Sequence, residues 1–372
     1  MRINRTILTA VFVITILVLG CNTPQKEQQA EQKETKHKKQ KEEESLYQKE
    51  LSQNKVKAKK AFVVKYKFGE PSNEKLKLYE TTYNKDGFLI DSITYTKNKM
   101  YAREKFAYNE NNKIVQRELY DSLNRLTSKL IREFDQQGND ISFKAFRFDT
   151  LRYSQKKAYD KNNNLIKITD YYNDGSIKSI SKYSYNTNNK VTSIVEMNDL
   201  GKILYKQTIG YDSLGRKINE TDYDSTGTCV GKTLIKNYDK NDKIQLIEKY
   251  NAGDSLYARY EFEYNDKGLE TKNTIYNGIN QVLRQSITTY DKDGNRTAFK
   301  IYEGSVGLLG ADEYTYNQAG KEIETKVLDG KGNLVTKVVK EYNEKGLLVK
   351  EINYNKLDEP QFEFVYEYEY FE

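Results

Sequence analysis

The sequence predicts an all-β protein, an antiparallel β-meander of 26-residue units, each made of two ~13-residue half-repeats. The meander is expected to coil into a spiral or shell-like sheet behind a disordered tether. Three observations predict this. An aromatic residue followed by Asp or Asn recurs eleven times at a nearly constant interval. Three positions beyond that Asp or Asn stands a residue that tolerates positive φ. Between turns, aromatic and polar residues alternate with the period of a strand.

The chain opens with Arg2 and Arg5, an apolar run over residues 7–19, then Gly20 and Cys21. A basic start, a short apolar stretch and a small residue describe a cleaved export signal over residues 1–20. The run falls short of the ~20 apolar residues of a membrane-spanning helix. Val18-Leu19-Gly20-Cys21 resembles the bacterial lipobox. The resemblance implies cleavage before Cys21 and acylation of its thiol and new amino group. The alternative is an ordinary export signal with an incidental Cys. Acyl chains anchor without spanning, at ~0.8 kcal/mol per buried CH₂. Asn22 stands where enterobacterial lipoproteins retained at the inner membrane carry Asp, so the same resemblance points to the outer membrane.

Residues 21–60 read as the lipidated Cys plus a Lys-, Glu- and Gln-rich tether, with 11 Lys and 7 Glu after Cys21. Such composition buries too little apolar surface to offset its ordering entropy. Glu–Lys pairs offer a transient helix around residues 39–60, but Leu46, Tyr47, Leu51 and Val56 are too few for a coiled coil. His37, the only histidine, reads as a solvated bystander. The export signal and the tether carry most of the net charge of +7, leaving +1 on residues 61–372. A nucleic-acid-binding domain normally shows a basic patch, so no nucleic-acid partner is expected.

Residues 61–372 are one repeat, copied. The anchors are Tyr83, Tyr108, Phe134, Tyr159, Tyr185, Tyr211, Tyr238, Tyr264, Tyr290, Tyr316 and Tyr342, at spacings of 25, 26, 25, 26, 26, 27, 26, 26, 26 and 26. Tyr120, Tyr172, Tyr223, Tyr250, Tyr276, Tyr302 and Tyr354 mark the second halves. Turns such as Asp212-Ser-Leu-Gly215 begin with a side chain that hydrogen-bonds its own backbone. Gly87, Gly138, Gly215, Gly268, Gly294, Gly320 and Gly346 supply positive φ, and Asn112, Asn163 and Asn189 stand in for glycine elsewhere. No proline lies between Pro71 and Pro360, which suits strands paired on both sides. Roughly 22–24 strands would extend on the order of 100 Å if flat, so the sheet must coil. Edges are expected only at its two ends, where the glutamate-rich 362–372 reads as a strand that resists further pairing.

Tyr211-Asp-Ser-Leu-Gly-Arg-Lys-Ile and Tyr120-Asp-Ser-Leu-Asn-Arg-Leu-Thr resemble the YD repeats of the RHS family. Tyr290-Asp-Lys-Asp-Gly-Asn and Tyr159-Asp-Lys-Asn-Asn-Asn-Leu-Ile fit more loosely. The resemblance implies antiparallel strands spiralling into a shell in a secreted or surface setting. It also implies carbohydrate binding, as in some members, or partnership with a toxin or secretion machine. This chain has too few repeats for a closed cocoon and no processing motif or effector domain after them, so toxin delivery is not carried over.

No catalytic residue is singled out. The aromatic ladder reads either as the core of the repeat or as a surface that stacks sugars. The turn carboxylates could ligate Ca²⁺ but read better as turn caps. A glycoside hydrolase needs two acids at a defined separation, and nothing distinguishes one pair among 47 acids in residues 61–372. Cys229 lies in the 27-residue unit, where a bulge is expected, and has no histidine to activate it. The glycine-rich 304–310 lacks the ending of a phosphate loop. The expectation is a non-enzymatic outer-membrane lipoprotein with no metal or cofactor. Its repeat sheet is expected to bind or scaffold a glycan or an envelope or surface protein. Protease added to intact cells is expected to digest the C-terminal repeats if they face outward; survival until the envelope is opened places them in the periplasm.

Overall fold

The computed structural model describes residues 44–372. The export signal and Cys21 lie outside the described residues. A helix, α1 (44–53), leads into twenty-four strands, β1 to β24 in chain order.

Each strand forms because its turn chemistry starts and stops it. At 212–216 the Asp212 N–H donates to the Arg216 carbonyl (2.9 Å) and the Gly215 N–H to the Asp212 carbonyl (2.9 Å). Asp212 Oδ1 accepts the N–H groups of Leu214 (3.0 Å) and Arg216 (2.8 Å). Gly215 sits at φ 75°, and the register slips by one residue beside Tyr211. This is a type I turn closed by a bulge at a left-handed residue. The seven anchor-turn glycines have φ between 72° and 93°. The turns also explain the spacings. The two 25-residue units contain two-residue turns, Lys97-Asn98 (φ 50° and 60°) and Phe148-Asp149 (φ 48° and 60°), as a type I′ turn requires. The 27-residue unit carries an extra residue as a bulge in β14 (Cys229–Tyr238). Ile235 pairs with Ile247 and Asn237 with Leu246, leaving Lys236 over.

The sheet closes, which corrects the expected spiral or shell. β1 (Val56–Lys67) pairs antiparallel with β2 (Glu70–Tyr83) on one side and with β24 (Pro360–Tyr370) on the other. Every intervening strand pairs with its two neighbours in sequence, so the structure is a 24-stranded antiparallel barrel. An even number of strands brings the last edge back in the orientation that the first can accept. The glutamates expected to repel a partner instead meet lysines. Lys60 Nζ lies 2.5 Å from Glu369, Lys75 Nζ lies 2.6 Å from Glu367, and the Tyr66 hydroxyl donates to Glu363 (2.8 Å). β1 also begins inside the segment read as tether, and α1 is part of the folded unit.

Successive side chains point to opposite faces. One face carries the anchors and, two residues before several of them, Phe106, Tyr183, Phe262, Tyr314 and Tyr366. The other is rich in Lys and Glu, paired as in Lys272–Glu263 (2.9 Å) and Lys144–Glu133 (3.5 Å). Both remain partly solvated along most strands. Neither offers the continuous apolar band that a membrane-spanning barrel presents to lipid.

The largest fully buried side chains, Leu51 of α1, Val56 and Leu347, gather with Tyr83 where α1 meets the sheet, with Leu89 and Tyr368 packed against them. The helix rests on anchor turns. Gln48 donates to the Asp86 carbonyl, Ser52 to the Lys85 carbonyl (3.1 Å), and Glu50 pairs with Lys321. A Cβ at Gly87 would overlap the Gln48 carbonyl oxygen, whereas one at Gly320 would meet nothing. Both sites have positive φ, so Gly320→Ala carries strain alone, about 1 kcal/mol. Gly87→Ala adds a backbone clash and is expected to cost at least twice that. Leu51→Ala is expected to cost about 2–5 kcal/mol. Urea midpoints of the full chain check the order.

Candidate functional site

The anchor tyrosines come together as a ladder that is stitched to the backbone. The hydroxyls of Tyr108, Tyr185, Tyr211, Tyr290 and Tyr342 donate to the carbonyls of Leu89 (2.7 Å), Leu165 (2.7 Å), Val191 (2.8 Å), Glu270 (2.8 Å) and Glu322 (2.8 Å). Tyr159, Tyr238, Tyr264 and Tyr316 make the same bond, as does Tyr368 at the end of the chain. Each acceptor belongs to the residue after a turn, where the bulge interrupts the regular ladder. Burial pushes the hydroxyls of Tyr108, Tyr264 and Tyr342 up to about 12. Phe134 has no hydroxyl to donate, and that of Tyr83 accepts from the Thr81 hydroxyl (2.9 Å). The anchors therefore spend their polar tips on the fold. Sequence reasoning saw their spacing but not this bond, because the acceptor lies about 20 residues away on the neighbouring strand.

On the same face, two units apart, a polar cluster is repeated. The Tyr153 hydroxyl and Gln155 Nε2 (2.8 Å) both donate to Asp170, which also accepts from Ser179 (3.0 Å). Tyr205 and Gln207 Nε2 (2.9 Å) do the same to Asp222. The positions are offset by 52 residues. Burial, then Asp170, pushes the Tyr153 hydroxyl up to about 12. A related group joins Arg296 to the Tyr314 hydroxyl (2.7 Å), beside Asp312. Each cluster sets an aromatic ring beside a carboxylate and an amide or guanidinium, groups suited to hold a hydroxylated ligand. No anchor spacing or turn motif in the sequence points to these residues. Their signal was a Tyr-x-Gln in two strands 52 residues apart.

A third group lies at the seam. Lys59 is buried on β1 beneath α1, its ammonium 3.2 Å from the Tyr47 hydroxyl. It stands 4.5 Å from the centre of the Tyr366 ring and within 6 Å of those of Tyr47, Tyr79 and Tyr368. Burial lowers the ammonium to about 8, against the raising pull of Glu351 and Glu50. The same burial raises the Tyr47 and Tyr79 hydroxyls well above their ordinary value.

The remaining candidates have structural places. Cys229 is a partly buried free thiol in β14, its Sγ 3.6 Å from the Gly231 carbonyl. Turn carboxylates are engaged by their own loops: hydrogen bonds from the Asn164 side chain and backbone hold Asp160 below the usual carboxylate range. Among the described residues no three His, Cys, Asp or Glu converge for a metal. The glycine-rich 304–310 forms a turn and the start of β20 (Gly307–Tyr316).

No family model matches the chain, and no curated protein does. Among solved structures, a TcdB2-TccC3 complex is 11% identical over 77% of this chain and 19% of its own, with a TM-score of 0.36. The chain thus spans about a fifth of that toxin component. A porin-like protein from Bacteroides uniformis is 12% identical over 85% of this chain and 97% of its own, with a TM-score of 0.21. A DUF1329 family protein from Desulfovibrio piger is 8% identical over 87% of this chain and 88% of its own, with a TM-score of 0.19. At these scores the likenesses carry no argument about function.

Lys59 gives a pH signature. Its folded value of about 8 lies below the ordinary 10.5, so across that window the unfolded chain binds a proton that the folded chain does not. Stability is therefore expected to rise with pH from about 8. Above about 10 the buried tyrosines, whose folded values are raised, reverse the trend. Urea midpoints of the full chain across that range should show a rise that Lys59→Met removes. Parallel curves for the two proteins count against the assignment.

Proposed function

We propose that this protein is a non-enzymatic, lipid-anchored protein of the outer membrane whose barrel presents its tyrosine face to an extended, hydroxyl-rich polymer such as a polysaccharide. The observation that carries the reading is the duplicated Tyr-Gln-Asp cluster on the face that carries the anchors. The clusters lie four strands apart, about 19 Å at ~4.8 Å per strand. A chain of sugars long enough to cross that distance engages both, and the second contact forms at high effective concentration. The second-tier rings of Tyr183 and Tyr314 lie on the same face and supply flat apolar surface beside them.

The anchor and the export route rest on the resemblance of residues 18–21 to a lipobox, and the surface setting on the YD-type repeats. The charged faces support a barrel that stays beside the membrane, since spanning requires an apolar exterior.

Titration of the purified protein against neutral and acidic polysaccharides tests the reading. One class is expected to bind saturably, with the Tyr153→Ala/Tyr205→Ala double variant weakened more than about tenfold and each single variant less. Fragments too short to bridge the clusters should bind weakly. An absence of saturable binding across the panel rejects the glycan, and turnover of any substrate that one point substitution abolishes rejects the non-enzymatic reading.

A further inference from the structure

The two rims of the barrel are built from the same turns but differ in chemistry. On the rim opposite α1, six turn tips carry large apolar residues in solvent, Phe68, Leu123, Leu200, Ile279, Val306 and Leu357, which are 68–105% exposed, interspersed with polar tips such as Asp174, Thr226 and Lys331. On the anchor rim the corresponding tips are polar, as at Asp86, Asn111, Asn162, Lys267, Asp293 and Lys345, and among the described residues Leu214 is its exposed large apolar tip.

Turn geometry does not account for the difference. The N–H groups of Leu123 (2.9 Å), Leu200 (3.1 Å), Ile279 (3.1 Å) and Leu357 (2.9 Å) are each held by the Asx oxygen two residues earlier. The N–H of Lys267 on the anchor rim is held in the same way (3.0 Å). Both rims are solvated, so neither packing nor turn type requires Leu or Ile at one and Asn, Asp or Lys at the other.

From this asymmetry we infer that the apolar rim is a contact surface for phospholipid, its tips entering the interfacial layer of a bilayer while the barrel stays outside. Alternate turns of a closed meander all emerge at one end, so the tips share a rim and approach a surface together. Adjacent turns on a rim are two strands apart, roughly 10 Å, so the tips are single points separated by polar residues. A fluid headgroup layer accommodates such points, whereas a rigid apolar partner would need a matching ring of pockets.

The turn backbone is already satisfied. At 198–202 the Asn198 N–H reaches the Lys202 carbonyl (3.0 Å) and the Gly201 N–H the Asn198 carbonyl (3.1 Å). Asn198 Oδ1 holds the N–H groups of Leu200 and Lys202. The tip can therefore leave water without stranding backbone groups. The charged residues beside four of the six tips balance, Lys67 with Glu70, Arg125 with Asp121, Lys202 with Asp199 and Lys356 with Asp358, so burial of the apolar tip and not net charge carries the contact.

Flotation of the chain from residue 22 onward with vesicles of phosphatidylethanolamine and phosphatidylglycerol tests this. That chain keeps the whole helix-capped barrel and lacks both the apolar leader and the acylated Cys21. The protein is expected to float, and the Leu200→Ser/Ile279→Ser/Leu357→Ser variant to lose more than about tenfold in partitioning. Leu214→Ser on the anchor rim should float like the parent, and circular dichroism should show both variants folded. No flotation of the parent, or equal flotation of the triple variant, overturns the inference. So does a parent that ignores vesicles but sediments as a dimer that the triple variant dissolves, because the rim would then serve a second copy. Glycan binding by the tyrosine face is unaffected by any of these outcomes.

Discussion

The pairing of β1 with β24 is the constraint on which the rest depends. Without it the sheet would end in two unpaired edges, each a template for aggregation. With it, no strand is an edge, and no terminal capping unit of the kind used by open repeat arrays is needed. The seam is reinforced from both faces. On one, Lys60 and Lys75 meet Glu369 and Glu367. On the other, Lys59 sits among tyrosine rings from β2, β24 and α1. The helix lies over this junction and ties the turns at Asp86 and Lys321 to it. The only fully buried cluster of large side chains among the described residues gathers there.

Away from the seam, the barrel is held by local interactions repeated many times. Asx turns close their own hydrogen bonds, bulges absorb the odd residue, and every anchor tyrosine but Tyr83 caps the carbonyl that a bulge leaves over. Surface Lys–Glu pairs contribute little singly, and cross-strand packing supplies the rest. A sheet organised in this way needs no second layer. That leaves one long face to carry rings, carboxylates and amides.

The strand period and the positions of the anchor turns are local properties, and they were legible; the two-residue turns were not singled out. The 25-residue spacings follow from two-residue turns at Lys97-Asn98 and Phe148-Asp149, and the 27-residue spacing from a bulge at Lys236. The bulge was expected near Cys229 because spacing reports a count and not a place. The candidate site was only partly legible. Tyr153, Gln155 and Asp170 lie on two strands, and no pattern in one strand announces that a carboxylate from the next will join them. The apolar rim was hidden because its residues are scattered singly among polar turn residues.

The sequence by itself determined the all-β meander, because side-chain alternation and turn propensity act over a few residues. It also determined the identity of the ladder residues and the distribution of charge. Only the tertiary structure decided that the sheet closes, that residues 44–60 belong to it and that glutamates at the end of the chain find lysines at its beginning. Those outcomes depend on strand twist and curvature accumulated over twenty-four strands. They bring together residues some 300 positions apart, a separation across which no local pattern carries information.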